Sequence, residues 1–478
     1  MESDSEKNHS TIEMDCCERS WRQYPSDQAS VDYRFYTDKL SDLGSDLFTE
    51  TSEETDVEIL DIEALSASGR PSRQRFCDSK SLDSYITKAV HPATRIISFH
   101  SQNSLGPLKV TAESLLRILS HYEIGTEFLD LLFVFGEKPN QADVGVGGLN
   151  VTHRADGSYD MCYLMVYAEE SREKDRSSWP IRQTAVFHRF VPNSTGHLWI
   201  FIHPMPNSVL QQRLETYQFS GDEIPNCHWN LHLLAISSYI EGGRWYLRSL
   251  SDEFEDIADV ALTLDFSRPG DYTEGFRTLT KLQYLQERIL PLPARNETSI
   301  FTVRELQTVY ALFRTLELHD DSSARIIQNS LSLFGAKYRG NLAGVEVLRS
   351  RVQGVIKLLS VALNLKNQST SVDINHNMLL LTKDTVDDSA TVRVVTLVTL
   401  IYLPASFISS LLGTNLFAFE TTDGSGFQIS RQFWIFIALS VPLTFLTVGS
   451  WFYISYKRRR NKALQERVSR NGRLEIEV

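Results

Sequence analysis

Gly413, Thr414 and Asn415 close a long apolar run, and in a chain of 478 residues they are the three whose types and place best suit ion chemistry. Asn415 offers a neutral amide oxygen. Mg2+ gives up its water shell reluctantly, so a ring of such oxygens touching that shell makes a sensible outer filter. A glycine at a helix end also adopts a left-handed cap, so the same residues read as a helix stop followed by a loop. Glu420 and Asp423, just beyond, could concentrate cations or merely solvate that loop. Cys227, His228 and His232 in NCHWNLH are read as structural residues on a strand; two of them are adjacent and no second ligand pair is near. No Walker loop, GxSxG elbow, HExxH or dinucleotide fingerprint occurs. Nucleotide-driven transport and the common hydrolase chemistries therefore lack support, and neither enzymatic activity nor an organic cofactor is expected.

Two elements must position these groups. From Val394 to Phe419 there is no charged residue over 26 positions, and from Phe433 to Tyr456 none over 24. A bilayer core of about 30 Å needs roughly 20 helical residues, so each run is long enough to span; buried helices of a soluble protein are the alternative. Lys457, Arg458, Arg459, Arg460 and Lys462 follow the second run, while the connection holds Glu420, Asp423 and Arg431. The positive-inside rule then puts the C-terminus, and with two spans the N-terminus, in the cytoplasm. The expected layout is a first span over 394–417, an external loop over 418–432, a second span over 433–456 and a basic tail over 457–478. On a helix, Thr396, Thr399, Leu403, Ser406, Ser410, Gly413 and Thr414 gather on one face, and Leu397, Ile401, Ile408 and Leu412 on the other. Pro404 lies mid-span and could kink the helix.

The formal charge is −12, which argues against a general nucleic-acid binder. Residues 1–70 carry 18 acidic and 6 basic residues, the whole of that net charge. An acidic, largely disordered leader is expected over 1–85, with Tyr33 to Leu40 and Val57 to Leu65 as short islands able to dock. Five cysteines without a CxxC pair fit a reduced compartment. Strand signatures run over Phe128 to Phe135, Tyr159 to Tyr167, Thr184 to Phe190, Leu198 to Ile202, Leu231 to Ile240 and Trp245 to Leu250. With a helical pattern over Ala112 to Tyr122 between them, they make 86–252 an α/β domain. An antiparallel helical region is expected over 253–340 and a stalk helix over 341–393. Val345, Leu348, Val352, Val355, Leu359 and Ala362 are spaced 3, 4, 3, 4, 3, a coiled-coil-like seam that wants a partner helix. It leads without proline into the first span, either as one continuous helix or with a break near Gln368 to Asp373.

TLIYLPASFISSLLGTNLF, a second span and then KRRR resemble the CorA-type divalent cation transporter family, and DDSATVRVVTLVTLIYLP resembles its CorA-like branch in fungi. The resemblance is strongest over about 340–460, is one of organisation over 90–340, and finds no counterpart for the leader. It implies a cytosolic α/β funnel domain, a long stalk helix and two C-terminal spans in a homopentamer. It makes Asn415 the outer selectivity ring, shaped by Gly413 and Thr414, where the family has Gly-Met-Asn. Val392, Val395 and Leu403 would line a hydrophobic constriction, Thr399 and Ser406 would add polar rings, and Lys457, Arg458, Arg459 and Arg460 would form a basic collar. The implied function is Mg2+ passage down its electrochemical gradient, with the plasma membrane as the expected site. Thr414 in place of Met leaves Zn2+ or another divalent ion open. The alternative is a non-conducting membrane sensor or scaffold whose acidic leader binds protein partners.

Overall fold

The computed structural model describes residues 24–25, 33–62, 72–88, 92–103, 106–135, 145–173, 176–192, 196–217, 227–316, 321–411, 417–418, 428–429 and 433–474. In chain order the elements are α1 (Tyr33–Leu47), β1 (Val57–Ile62), β2 (Ser72–Phe76), α2 (Ser79–Lys88), β3 (Thr94–His100), α3 (Ala112–His121) and α4 (Glu127–Leu132). Then come β4 (Asn150–His153), β5 (Tyr159–Ala168), β6 (Ser171–Glu173), β7 (Arg176–Ser178), β8 (Ile181–Phe190), β9 (His197–His203) and α5 (Val209–Thr216). The rest is α6 (Cys227–Thr263), α7 (Pro269–Ile289), α8 (Leu292–Leu316), α9 (Asp321–Leu411), β10 (Phe417–Ala418), β11 (Gln428–Ile429) and α10 (Phe433–Leu474). Two units divide the chain at Leu363 and Asn364.

In the first unit a mixed seven-stranded sheet has the order β2-β1-β3-β9-β8-β5-β4. Within that sheet only β3 and β9 pair in parallel, with Thr94 opposite His197 and His100 opposite His203. Side chains alternate across the sheet with the period of two that a strand imposes. Cys162, Leu164, Leu198, Ile200 and Ile202 point into a core shared with α1 to α4. Met161, Tyr163, Met165, Trp199 and Phe201 point into a second core under α5, α6, α8 and α9. The result is helix, sheet, helix, three layers deep. Before β4, the turn residue Gly147 has φ of 108°, and a Cβ there would come within 2.5 Å of Leu164 Cβ, so glycine is required. Gly242 lets α6 lie directly against the Ala168 carbonyl at the end of β5.

A third apolar cluster joins α6, α7 and α9. Its α9 members include Val345, Leu348, Val352 and Leu359, each nearly fully buried. The partner that this heptad-like seam wants is thus found within the chain, in Leu250 and Phe254 of α6 and Leu282 and Leu285 of α7. No break interrupts α9, which runs 91 residues.

The structure departs from the sequence reading in three places. Residues 33–62 and 72–85 are folded rather than part of a disordered leader. β1 is an inner strand, and the leader's carboxylates are partners within the sheet rather than solvated charge: Asp61 holds Arg95 at 2.7 Å, Asp56 holds Arg75 at 2.5 Å, and Glu58 holds Arg73 at 2.5 Å. Phe128 to Phe135, expected as a strand, begins in the one-and-a-half-turn helix α4, which buries Phe128, Leu129, Leu131 and Leu132. Leu231 to Ile240 and Trp245 to Leu250 are likewise not strands but the middle of α6, which runs 37 residues. Over 228–240 that helix is pressed between the sheet and its neighbouring helices with no position exposed, so its period is masked there. The helical region therefore starts near 227 rather than 253, and α9 starts at Asp321 rather than 341.

The second unit holds the C-terminal part of α9, the β10–β11 pair and α10. Phe417 pairs with Ile429 and Ala418 with Gln428.

Candidate ion-conduction pathway

Among the described residues two stretches are long and apolar enough to cross a membrane, Val392–Leu411 in α9 and Phe433–Lys457 in α10. Their apolar side chains are mostly exposed, whereas core helices of a soluble fold bury theirs. Ile408 is 6% exposed and Pro404 is buried, while Leu397 and Leu400 are half-buried. These four, at steps of three and four, form the side of α9 with neighbours.

Pro404 has no N–H, so it cannot bond the carbonyl four residues back, at Leu400. The Thr447 hydroxyl of α10 donates to that oxygen at 3.5 Å, and also to the Thr444 carbonyl at 3.0 Å. An orphaned carbonyl within an apolar span is thereby given a partner from the neighbouring helix, the condition for proline to be tolerated there. Sequence reasoning missed Thr447. Pro404 does identify Leu400 as the carbonyl in need, but only the packing identifies the donor.

The opposite side of α9 carries the residues singled out for a pore. Val392, Val395 and Leu403 are 63%, 61% and 64% exposed, and Thr399 and Ser406 are exposed too. Steps of 3, 4, 4 and 3 keep all five on one face. Thr399 donates its hydroxyl proton to the Val395 carbonyl at 2.6 Å, and Thr396 does the same to Val392 at 2.6 Å. With their protons committed to the backbone, these hydroxyls present oxygen lone pairs outward, the polarity a cation's hydration shell requires.

Gly413, Thr414 and Asn415 lie outside the described residues, as do Glu420 and Asp423. Lys457 and Arg460 are exposed on α10, and Arg458 and Arg459 lie between them on the same helix. In the first unit, His228 and His232 sit on α6 rather than on a strand, both buried. Among the described residues no group of three or more His, Cys, Asp or Glu has metal-holding geometry.

A model of the CorA-like transporters matches residues 15–156 and 148–262, just over half of the sequence. The chain belongs to the CorA-like transporter family. The match lies in the sheet domain and reaches into the segment taken as a leader without counterpart, whereas the resemblance read from sequence is strongest over 340–460. Family membership gives transport as the class of activity. The curated protein "Notoamide biosynthesis cluster protein M'" of Aspergillus versicolor is 38% identical over 64 residues, which is 13% of this chain and 14% of that one. Among solved structures, the ZntB cytoplasmic domain from Vibrio parahaemolyticus RIMD 2210633 is 12% identical, with 63% of this chain and 97% of that chain covered and a TM-score of 0.33. Full-length CmaX is 13% identical, with 86% and 100% covered and a TM-score of 0.37.

Proposed function

We propose that this CorA-like protein conducts a divalent metal cation, Mg2+ in the first instance, down its electrochemical gradient through an axial pore lined by α9 of several copies, five in number. The observation that carries this reading is that Val392, Val395, Thr399, Leu403 and Ser406, all exposed, share one face of α9 away from its buried side, within a segment long enough to span. On that face Leu403 and the two valines form a constriction that gates by dewetting, and Thr399 and Ser406 supply polar rings. Asn415 forms the outer ring, with Gly413 and Thr414 shaping it and Glu420 and Asp423 drawing cations to the mouth. Lys457 to Arg460 surround the cytoplasmic end, both termini lie in the cytoplasm, and the host is the plasma membrane. A membrane potential supplies about 2.3 kcal/mol per charge per 100 mV, roughly twice that for a divalent ion, so no ATP site is needed.

Assembly of copies has its own support. Leu358, Val361, Leu365, Val372 and Leu379 of α9 are all about half exposed or more and recur at 3, 4, 7 and 7. Such a stripe suits a second helix. The threonine at position 414 leaves the choice between Mg2+ and Zn2+ to experiment. The test is uptake of each ion into proteoliposomes, with Asn415→Ala beside the wild type. Mg2+ uptake that Asn415→Ala reduces at least tenfold is expected. Zn2+ uptake alone would reassign the ion, and no uptake from an assembled oligomer would overturn conduction in favour of a sensor or scaffold.

A further inference from the structure

Four histidines meet where α6 lands on the sheet. His188 of β8 and His232 of α6 are fully buried, His228 of α6 is 2% exposed and His197 of β9 is 6% exposed. His188 Nδ1 lies 3.1 Å from His232 Nε2, and the other nitrogen of His232 lies 3.0 Å from the Tyr163 hydroxyl. Ring centroids of His197 and His228 stack at 4.6 Å, and those of His188 and His228 lie 5.9 Å apart. Trp199 stacks on His188 at 3.9 Å, and Trp229 lies 5.2 Å from His232.

We propose that this imidazole cluster is a proton-operated latch: neutral, it seats the N-terminal turns of α6 on β8 and β9, and protonation releases them. In the seated state the chain from Tyr163 through His232 to His188 is complete with neutral rings, one donor and one acceptor at each contact. Second protons on both His188 and His232 would set two N–H donors face to face. They would also place charge where burial is complete.

Nothing facing the two central rings offsets that charge. His188 sees His197, His228 and His232, and no carboxylate acts on it or on His232. From β5 the facing titratable group is Tyr163, with Tyr338 of α9 acting on it. From α8, Tyr310 reaches the cluster through Trp229 at 4.8 Å. The nearest cation of α5, Arg213, is bound further along α6 to the Leu234 carbonyl and to Ser237 and Ser238.

The protons are coupled. Burial holds His188 well below the ordinary imidazole range, His197 at about 4 and His232 at about 3. Once α6 lifts, each freed ring takes a proton near its ordinary value of about 6.5. Each therefore multiplies the ratio of open to seated by up to about tenfold per pH unit below that value, and three together by up to about a thousandfold. The latch responds to pH far more steeply than one histidine could.

The test uses the full-length protein in detergent, between pH 7.5 and 4.5. Amide exchange of residues 227–240 would be compared with that of β3, alongside tryptophan fluorescence, which an imidazolium beside Trp199 quenches. The expected result is reversible opening of 227–240, with exchange, taken relative to the intrinsic amide rate at each pH, at least about a hundredfold faster at pH 5.5 than at 6.5 while β3 keeps its protection. In His188→Gln/His232→Gln the pH slope should fall to about one proton or less. Loss of β3 protection at the same pH, or a wild-type slope in the double variant, would overturn the latch. Should that variant fail to fold, His197→Gln decides: a slope lower by about one proton supports the latch, and an unchanged slope refutes it.

Discussion

The two ends of α9 are written in the same apolar alphabet and meet opposite fates. Near its start, Val345, Leu348, Val352 and Leu359 face α6 and α7 and are almost completely buried. Near its end, Val392, Val395 and Leu403 recur at similar steps and remain exposed. In the first stretch charged residues such as Arg349, Arg351 and Lys357 share the helix, marking its outer side as wet. In the second there is no charge from Val394 onward, so no side is marked for water. Apolar spacing identifies a face; the residues on the remaining faces identify the solvent.

The largest effect that would break this comparison is a charge in the seam. Val352→Asp places a carboxylate at a fully buried position within an apolar cluster, and should destabilise the first unit by about 4 kcal/mol or more. Loss of the cooperative thermal transition checks it.

Acid should separate the units by a smaller margin. His188, His197 and His232 are neutral when folded and take protons at about pH 6.5 when unfolded, so the unfolded chain binds more protons as pH falls. Stability is whole above about 6.5 and declines below it, until the folded values of about 4 for His197 and about 3 for His232 are reached. At pH 5 the loss is about 2 kcal/mol for each ring, from 1.5 pH units at about 1.4 kcal/mol. The second unit has one histidine, the exposed His376, and should show no matching loss. Denaturant titration at pH 7 and pH 5 distinguishes them.

The smallest effect sharpens the membrane side. Thr447→Val removes the partner of the Leu400 carbonyl and should cost about 0.6 kcal/mol of helix pairing. In a Pro404→Ala background, where the substituted residue supplies its own backbone N–H to that carbonyl, the same change should cost close to nothing. A double-mutant cycle on unfolding from detergent measures the difference.

The spans were legible because no charge falls between Arg393 and Glu420 or between Arg431 and Lys457. Strands β5, β8 and β9 were legible because each is an aromatic and β-branched run of strand length. The core of α6 was not, since burial on several sides removes the polar stripe by which a helix is recognised. Nor was the folded part of the leader. A high density of Asp and Glu suggests disorder when counted, yet Asp56 and Asp61 each meet an arginine distant in sequence, and a count contains no partners. The histidine cluster was half visible: NCHWNLH showed two rings, while His188 and His197 arrive from strands about thirty to forty residues away.

The most direct test of the central claim, that the exposed face of α9 lines the ion path, is a matched pair. Leu403→Ser and Ile401→Ser make the same kind of change two residues apart, about 200° around the helix. Basal Mg2+ uptake into proteoliposomes should rise about tenfold or more for Leu403→Ser, because a hydroxyl wets the constriction, and stay at the wild-type level for Ile401→Ser. Equal responses from both, or none from either in an assembled oligomer, would contradict the account.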